Sequence, residues 1–185
     1  MKMTTPVRTH LLTIALGLAA TCWWLPAASQ ETPAAVDQAA GQERWYSLPE
    51  NWDIQGWTIQ TSLYTKHFDP DPDHNNKQNL IGIEAYFDRN WMIGVAAFDN
   101  SFDQPSQMIY MGKLWHLFGS RHWYGKVIGG FLHGYKEPYE DKIPFNGAGV
   151  APVIIPSIGF RYNWLVVEGA LGGLATFTVT AGVHF

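Results

Sequence analysis

Cysteine is almost missing from this chain of 185 residues: the one thiol, Cys22, sits close to the N-terminus. Charge is also scarce, with Asp, Glu, Lys and Arg making up 15% of residues. The formal net charge of −4 gives no reason to expect a nucleic-acid partner. Long hydrophobic runs are lacking too, since no stretch approaches the roughly 20 apolar residues that a spanning helix requires. A helical membrane protein and a disulfide-stapled domain are thereby set aside.

What is present begins with a secretory pattern. Lys2 and Arg8 precede an apolar stretch at 11–20 that is too short to cross a bilayer, and the small residues Ala27, Ala28 and Ser29 come after it. Basic, apolar and cleavage regions in that order read as a signal peptide over 1–29. Cys22 falls inside it. Thr21 before it and Trp23–Trp24 after it fit a lipoprotein site poorly, so the mature chain is expected to have no thiol chemistry. Residues 30–42, rich in Ala and Gln, read as a flexible leader. Residues 43–54 are aromatic and amphipathic, which predicts a short helix lying at a membrane interface or packed on the edge of the domain formed by 55–185.

Aromatic residues match the charged ones at 15%, and they are patterned. Phe177, Val179, Ala181, Val183 and Phe185 alternate with Thr178, Thr180, Gly182 and His184, and the chain stops on the last aromatic. Period-two alternation ending in Phe is the signature of the closing strand of an outer-membrane barrel. Seven more segments of strand length precede it, over 56–66, 80–88, 91–100, 107–116, 122–133, 151–161 and 163–171. The expected fold is therefore all-β, an eight-stranded antiparallel outer-membrane β-barrel over 55–185. Connections at 88–90, 118–121 and 162–163 are tight, whereas 67–79, 102–106 and 134–150 are longer and polar. That asymmetry puts short turns at one membrane face and loops at the other. Trp57, Trp91, Trp115, Trp123 and Trp164 all fall at the short-turn end, as an interfacial girdle would.

The strands predict an apolar interior. Residues 91–98 are apolar on both faces, 153–155 are apolar throughout, and 127–132 carry no charge. Such walls suit hydrocarbon better than ions. Glycines 82, 94, 112, 129 and 130 either add room or ease curvature. Pro152 and Pro156 bracket 153–155, and proline cannot donate to a sheet ladder. Either the sixth strand starts only after Pro156, or the wall opens there and lipid can enter sideways.

Polar residues gather at the loop end. His67 ends the first strand; Asp99, Asn100 and Ser101 close the third; His133, Tyr135, Glu137 and Asp141 lie at or past the fifth. A histidine, a hydroxyl and a carboxylate above an apolar bore have the makings of acyl chemistry. His67 would accept a proton near neutrality and Asp99 would orient it. Ser101 would be the nucleophile or help hold the oxyanion. In an extended strand Asp99 and Ser101 face the same side. The plain alternative is a set of solvated rim residues. Asp69, Asp71 and Asp73 resemble the start of a calcium loop, but His74 stands where glycine is needed and Leu80 where glutamate is needed, so no metal site is assigned. Lys113 and Glu84, if inward, would plug the barrel at mid-depth.

From about Trp45 to Phe185 the chain resembles the lipid A palmitoyltransferase (PagP) family, especially its divergent pseudomonad-type branch. The resemblance rests on the aromatic lead-in, the strand count, a histidine at the first outer loop and the run Asp99-Asn100-Ser101 after Ala97-Phe98. It also rests on the stretch from Pro152 to Pro156, succeeded by Ser157 and Gly159, and on the aromatic end. It implies transfer of a palmitoyl chain from a phospholipid donor to lipid A, with no cofactor. The site residues it implies are His67 and Ser101 with an acid from Asp99, Asn100 or Asp103, and a lateral lipid gate at Pro152 and Pro156. The expected setting is a monomer in the outer membrane of a Gram-negative cell. Two other readings stand beside it: a non-enzymatic barrel for structure, adhesion or solute passage, and a lipid A deacylase, whose His-x-Ser-Asn run is absent here.

Overall fold

The computed structural model describes residues 47–69 and 72–185. The signal peptide, the leader and positions 43–46 of the expected helix lie outside the described residues, as do Pro70 and Asp71. From residue 56 onward the chain forms β1 (Gly56–His67), β2 (Ile81–Tyr86), β3 (Trp91–Asp99), β4 (Pro105–His116), β5 (Trp123–His133), β6 (Val150–Tyr162), β7 (Leu165–Gly172) and β8 (Thr176–His184). All neighbours pair antiparallel and β8 closes on β1, giving an eight-stranded barrel. The only helical turns among the described residues are short 3-10 turns in connections. Residues 47–49 and 51–55 have no regular structure, so the described part of 43–54 is not the helix expected there. The segment is tied to the short-turn end instead: Trp91 Nε1 donates to the Ser47 carbonyl at 2.7 Å, and the Glu50 amide donates to Asp88 at 3.0 Å.

Alternation places one row of side chains outside and one inside. The outer rows are apolar and exposed, among them Ile83, Val95, Ile109, Phe131, Ile154 and Val183. Trp57, Trp123, Trp164 and Phe185 extend this exposed apolar surface to the short-turn end. The tight turns form because Arg89, Asn90, Phe118, Gly119 and Asn163 take positive φ, which lets the chain reverse within a few residues.

The interior has two layers. Toward the loops it is apolar, built from Ala96, Met108, Ile128 and Leu132 with Phe98, Val153 and Ile155 against them. Below this lies a buried ionic layer. Lys126 Nζ is 3.0 Å from Glu84 Oε1 and 2.6 Å from Glu168 Oε2, and all three residues are almost fully buried. Tyr86 and Tyr110 donate to Glu84 at 2.5 and 3.1 Å, Tyr124 donates to Glu168 at 2.6 Å, and Gln60 donates to Glu84 at 3.0 Å. A buried carboxylate persists only when its lone pairs are filled in this way. Glu84 is thus a plug residue as expected, but its cation is Lys126. Lys113 faces outward, 5.4 Å above the Trp91 ring. Two glycines serve the plug directly. A Cβ at Gly94 would sit 2.5 Å from the Tyr110 ring, and one at Gly159 would sit 2.2 Å from that of Tyr124.

Candidate functional site

His67 reaches the interior through an irregularity. On β1 the even residues Thr58 and Gln60 are buried, and strict alternation would send an odd-numbered residue outward. The β1–β8 register slips by one between Ser62 and Tyr64, so Leu63 and Tyr64 both point out. Thr65 and His67 then point in, and His67 is only 4% exposed. A bulge that re-aims a side chain is a recurrent feature beside functional sites.

The His67 ring is held by Asn76. Its Nδ1 lies 2.8 Å from Asn76 Oδ1, while the Asn76 amide nitrogen donates to the His74 carbonyl at 3.5 Å. An amide oxygen only accepts, so Nδ1 is the donor to it, and in the neutral ring that tautomer leaves the lone pair on Nε2. That Nε2 is buried and has no hydrogen-bond partner among the described residues. The ring stacks on His74 at 4.2 Å between centroids, and His74 meets the edge of Phe102 at 5.3 Å. The next residue, Asn75, donates its amide to the Ser101 carbonyl at 2.7 Å, which clamps the first outer loop onto the third-strand turn.

The expected Asp99–Asn100–Ser101 grouping is divided by that turn. β3 ends at Asp99, which belongs to the outward row and accepts from Asn79 Nδ2 at 3.3 Å. Asp99 and Ser101 therefore do not share a side: Ser101 is buried and lines the inner cavity. Asn100 is fully buried, and its Oδ1 accepts from the Phe102 and Gln104 amides at 2.9 and 3.1 Å. Its side chain shapes the turn, because an Asx side chain can substitute for a backbone acceptor there. Asp103 accepts from Asn75 Nδ2 at 3.0 Å. The polar partner of His67 is consequently Asn76 rather than Asp99, Asn100 or Asp103. Asn76 was missed because the first outer loop contains several polar side chains at similar spacing.

Beneath the rim lies a cavity of about 700 Å³. Ala96, Phe98, Met108, Ile128, Leu132 and Val153 supply its apolar wall, and Glu84, Lys126 and Glu168 line its polar part. It is blind, since the tyrosines that hold the ionic layer separate it from a smaller pocket at the short-turn end. Tyr135, Ile143 and Phe145 from the connection between β5 and β6 line it on the loop side.

The wall beside this cavity is incomplete. β6 pairs with β5 from Val150 to Phe160 but with β7 only from Ser157 to Tyr162. Val150–Pro156 is therefore laddered on one side only, and both prolines fall in that stretch. Pro152 and Val153 line the cavity, as do Gly172, Gly173 and Leu174 at the facing end of β7. The strand begins at Val150, so the alternative that it starts after Pro156 does not hold. A prolyl nitrogen with no hydrogen is tolerated where no ladder partner demands one.

No protein-family model matches the chain, and no curated protein matches it. Solved structures share its barrel at low identity. A de novo designed transmembrane β-barrel is 12% identical, with a TM-score of 0.46 over 75% of this chain and 98% of that one. The Yersinia pestis outer-membrane protein Ail in a phospholipid nanodisc is 12% identical, with a TM-score of 0.42 over 70% and 99%. Ail in complex with the heparin analogue sucrose octasulfate is 11% identical, with a TM-score of 0.39 over 70% and 96%. These likenesses concern the strand architecture and say nothing about chemistry.

Proposed function

We propose that this protein is an outer-membrane acyltransferase that moves a palmitoyl chain from a glycerophospholipid to lipid A. One observation carries the reading: a blind, largely apolar cavity lined by Ser101 lies under the rim where the His67 imidazole, itself outside the cavity lining, is buried with Nε2 unpartnered among the described residues. A donor lipid would enter beside Val150–Pro156 and lodge one acyl chain in the cavity, where apolar burial contributes roughly 0.8 kcal/mol per methylene. The lipid A hydroxyl then attacks the ester carbonyl while Nε2 of His67 takes its proton. Collapse of the tetrahedral intermediate expels the lysophospholipid alkoxide, which receives that proton back. Asn76 keeps the required tautomer. Ser101 serves as an oxyanion donor in this scheme, because Nε2 makes no bond to its hydroxyl and so does not activate it as a nucleophile.

The rival reading is a non-enzymatic barrel for structure, adhesion or solute passage. It is favoured by one fact: among the described residues the hydrogen bonds of His67 involve no carboxylate. Expression in a strain lacking its own acyltransferase, with lipid A mass read before and after, separates the two. Gain of one palmitoyl group supports acyl transfer, and His67→Ala should reduce that gain by roughly 10²- to 10⁴-fold. An unchanged lipid A mass with folded protein in the membrane refutes it and promotes the rival.

A further inference from the structure

The short-turn end of the barrel contains a second pocket, of about 180 Å³, with a different chemistry. It is lined by Gln55, Asn90, His116, Arg161 and His184, with Leu114 and the aromatic rings of Tyr86, Phe87 and Tyr124. Among the described residues no carboxylate lines it. Arg161 belongs to the inward row of β6, because it comes after Ser157 and Gly159 on that face. Its Nη1 donates to His184 Nε2 at 3.3 Å, and His184 Nδ1 in turn lies 3.0 Å from Thr58 Oγ1. The Arg161 side chain makes no other hydrogen bond and no salt bridge among the described residues. Guanidinium groups inside proteins normally meet a carboxylate or phosphate, since their planar fork matches two oxygens at once. Here the fork is anchored by a neutral ring, and most of its donors remain uncommitted. The side chains of Gln55, Asn90 and His116 likewise make no hydrogen bond to the described residues.

We propose that this pocket binds a phosphate oxyanion, with Arg161 as its charge partner and Gln55, Asn90 and His116 as neutral donors. The anionic layer above is already neutralised in part by Lys126, and the tyrosine hydroxyls of Tyr86 and Tyr124 are turned toward the carboxylates. The donors at the mouth are thus left to face outward from the plug. Pocket size suits the phosphate group itself and leaves any attached moiety outside the mouth. The oxyanion belongs either to a soluble phosphate or to a lipid headgroup in the adjacent leaflet. This proposal is independent of acyl transfer and stands or falls separately from it.

The test uses the full chain folded in uncharged maltoside micelles. One arm titrates inorganic phosphate calorimetrically. The other compares retention of phosphatidic acid and diacylglycerol by native mass spectrometry, a pair that differs only in the phosphate. Saturable phosphate binding that weakens tenfold or more in Arg161→Gln, and less in Arg161→Lys, supports a soluble ligand. Arg161-dependent retention of phosphatidic acid over diacylglycerol, without free phosphate binding, supports a headgroup. Absence of saturable binding in both arms, or binding indifferent to Arg161→Gln, overturns the proposal. If Arg161→Gln fails to give the heat-dependent gel shift of a folded barrel, His116→Ala at the exposed mouth, which removes a donor, is read in its place, with about a threefold loss expected and no loss refuting.

Discussion

Replacing Ile109 with arginine tests the membrane reading at a strongly exposed point of the outer row. Ile109 is 63% exposed and lies in a continuous outer row, opposite Val95 on β3 and Phe131 on β5. Along β4 it stands six positions from Trp115, toward the loop end. At about 3.4 Å per residue that is about 20 Å along the strand. A strand tilt of roughly 40° reduces this to about 15 Å of depth, near the middle of an apolar band about 25 Å tall. Arginine at a barrel midplane costs about 2–4 kcal/mol, whereas an exposed substitution facing water changes stability by no more than about 0.5 kcal/mol. Equilibrium unfolding in guanidinium, monitored by tryptophan fluorescence in phospholipid vesicles, measures the difference. A loss of about 2–4 kcal/mol is expected. A loss below about 0.5 kcal/mol, with the barrel shown to be inserted, would refute the assignment of this face to lipid.

The remaining predictions concern the interior. Lys126→Met removes the cation shared by Glu84 and Glu168 and leaves both carboxylates buried, which should cost about 3–5 kcal/mol in the same unfolding assay. Adding Glu84→Gln and Glu168→Gln to Lys126→Met should recover most of that loss, and strict additivity of the three changes would show that the charges are not coupled. Deleting Leu63 removes the unpaired residue of the bulge and makes the β1–β8 register continuous with Thr65 and His67 still inward, so the proposed palmitate transfer and the heat-dependent gel shift should both persist. Loss of transfer with the gel shift intact would show that the inward face of His67 is not enough and that the register reasoning fails. Gly159→Ala forces a methyl group into the Tyr124 ring and should destabilise by about 1–3 kcal/mol, measured by denaturant midpoint; a neutral result would contradict the packing.

Strand number, order and the short-turn girdle were legible from residues alone because they depend on local patterns. Side chains on an extended strand alternate whatever their neighbours are, so the row from Phe177 to Phe185 announces a lipid-facing strand without reference to the rest. Tight turns and loops are likewise written in nearby residues, and the paired prolines marked the half-laddered part of β6. The described part of 43–54 departs from this success: amphipathic spacing suggested a helix, yet backbone and side-chain bonds to the β2–β3 turn and to β3 engage the segment in another conformation.

The identity of partners across the barrel belonged to tertiary structure. Glu84, Lys126 and Glu168 lie on three different strands, and only closure and register bring them within 3.0 Å of one another through the shared ammonium. The same holds for His67. Leu63 and Tyr64, adjacent and both apolar, are the one sequence trace of the bulge, but a single extra residue becomes meaningful only when β8 supplies the other side of the register. Local alternation fixes which face a residue prefers; pairing decides where that alternation breaks, and with it which side chains meet.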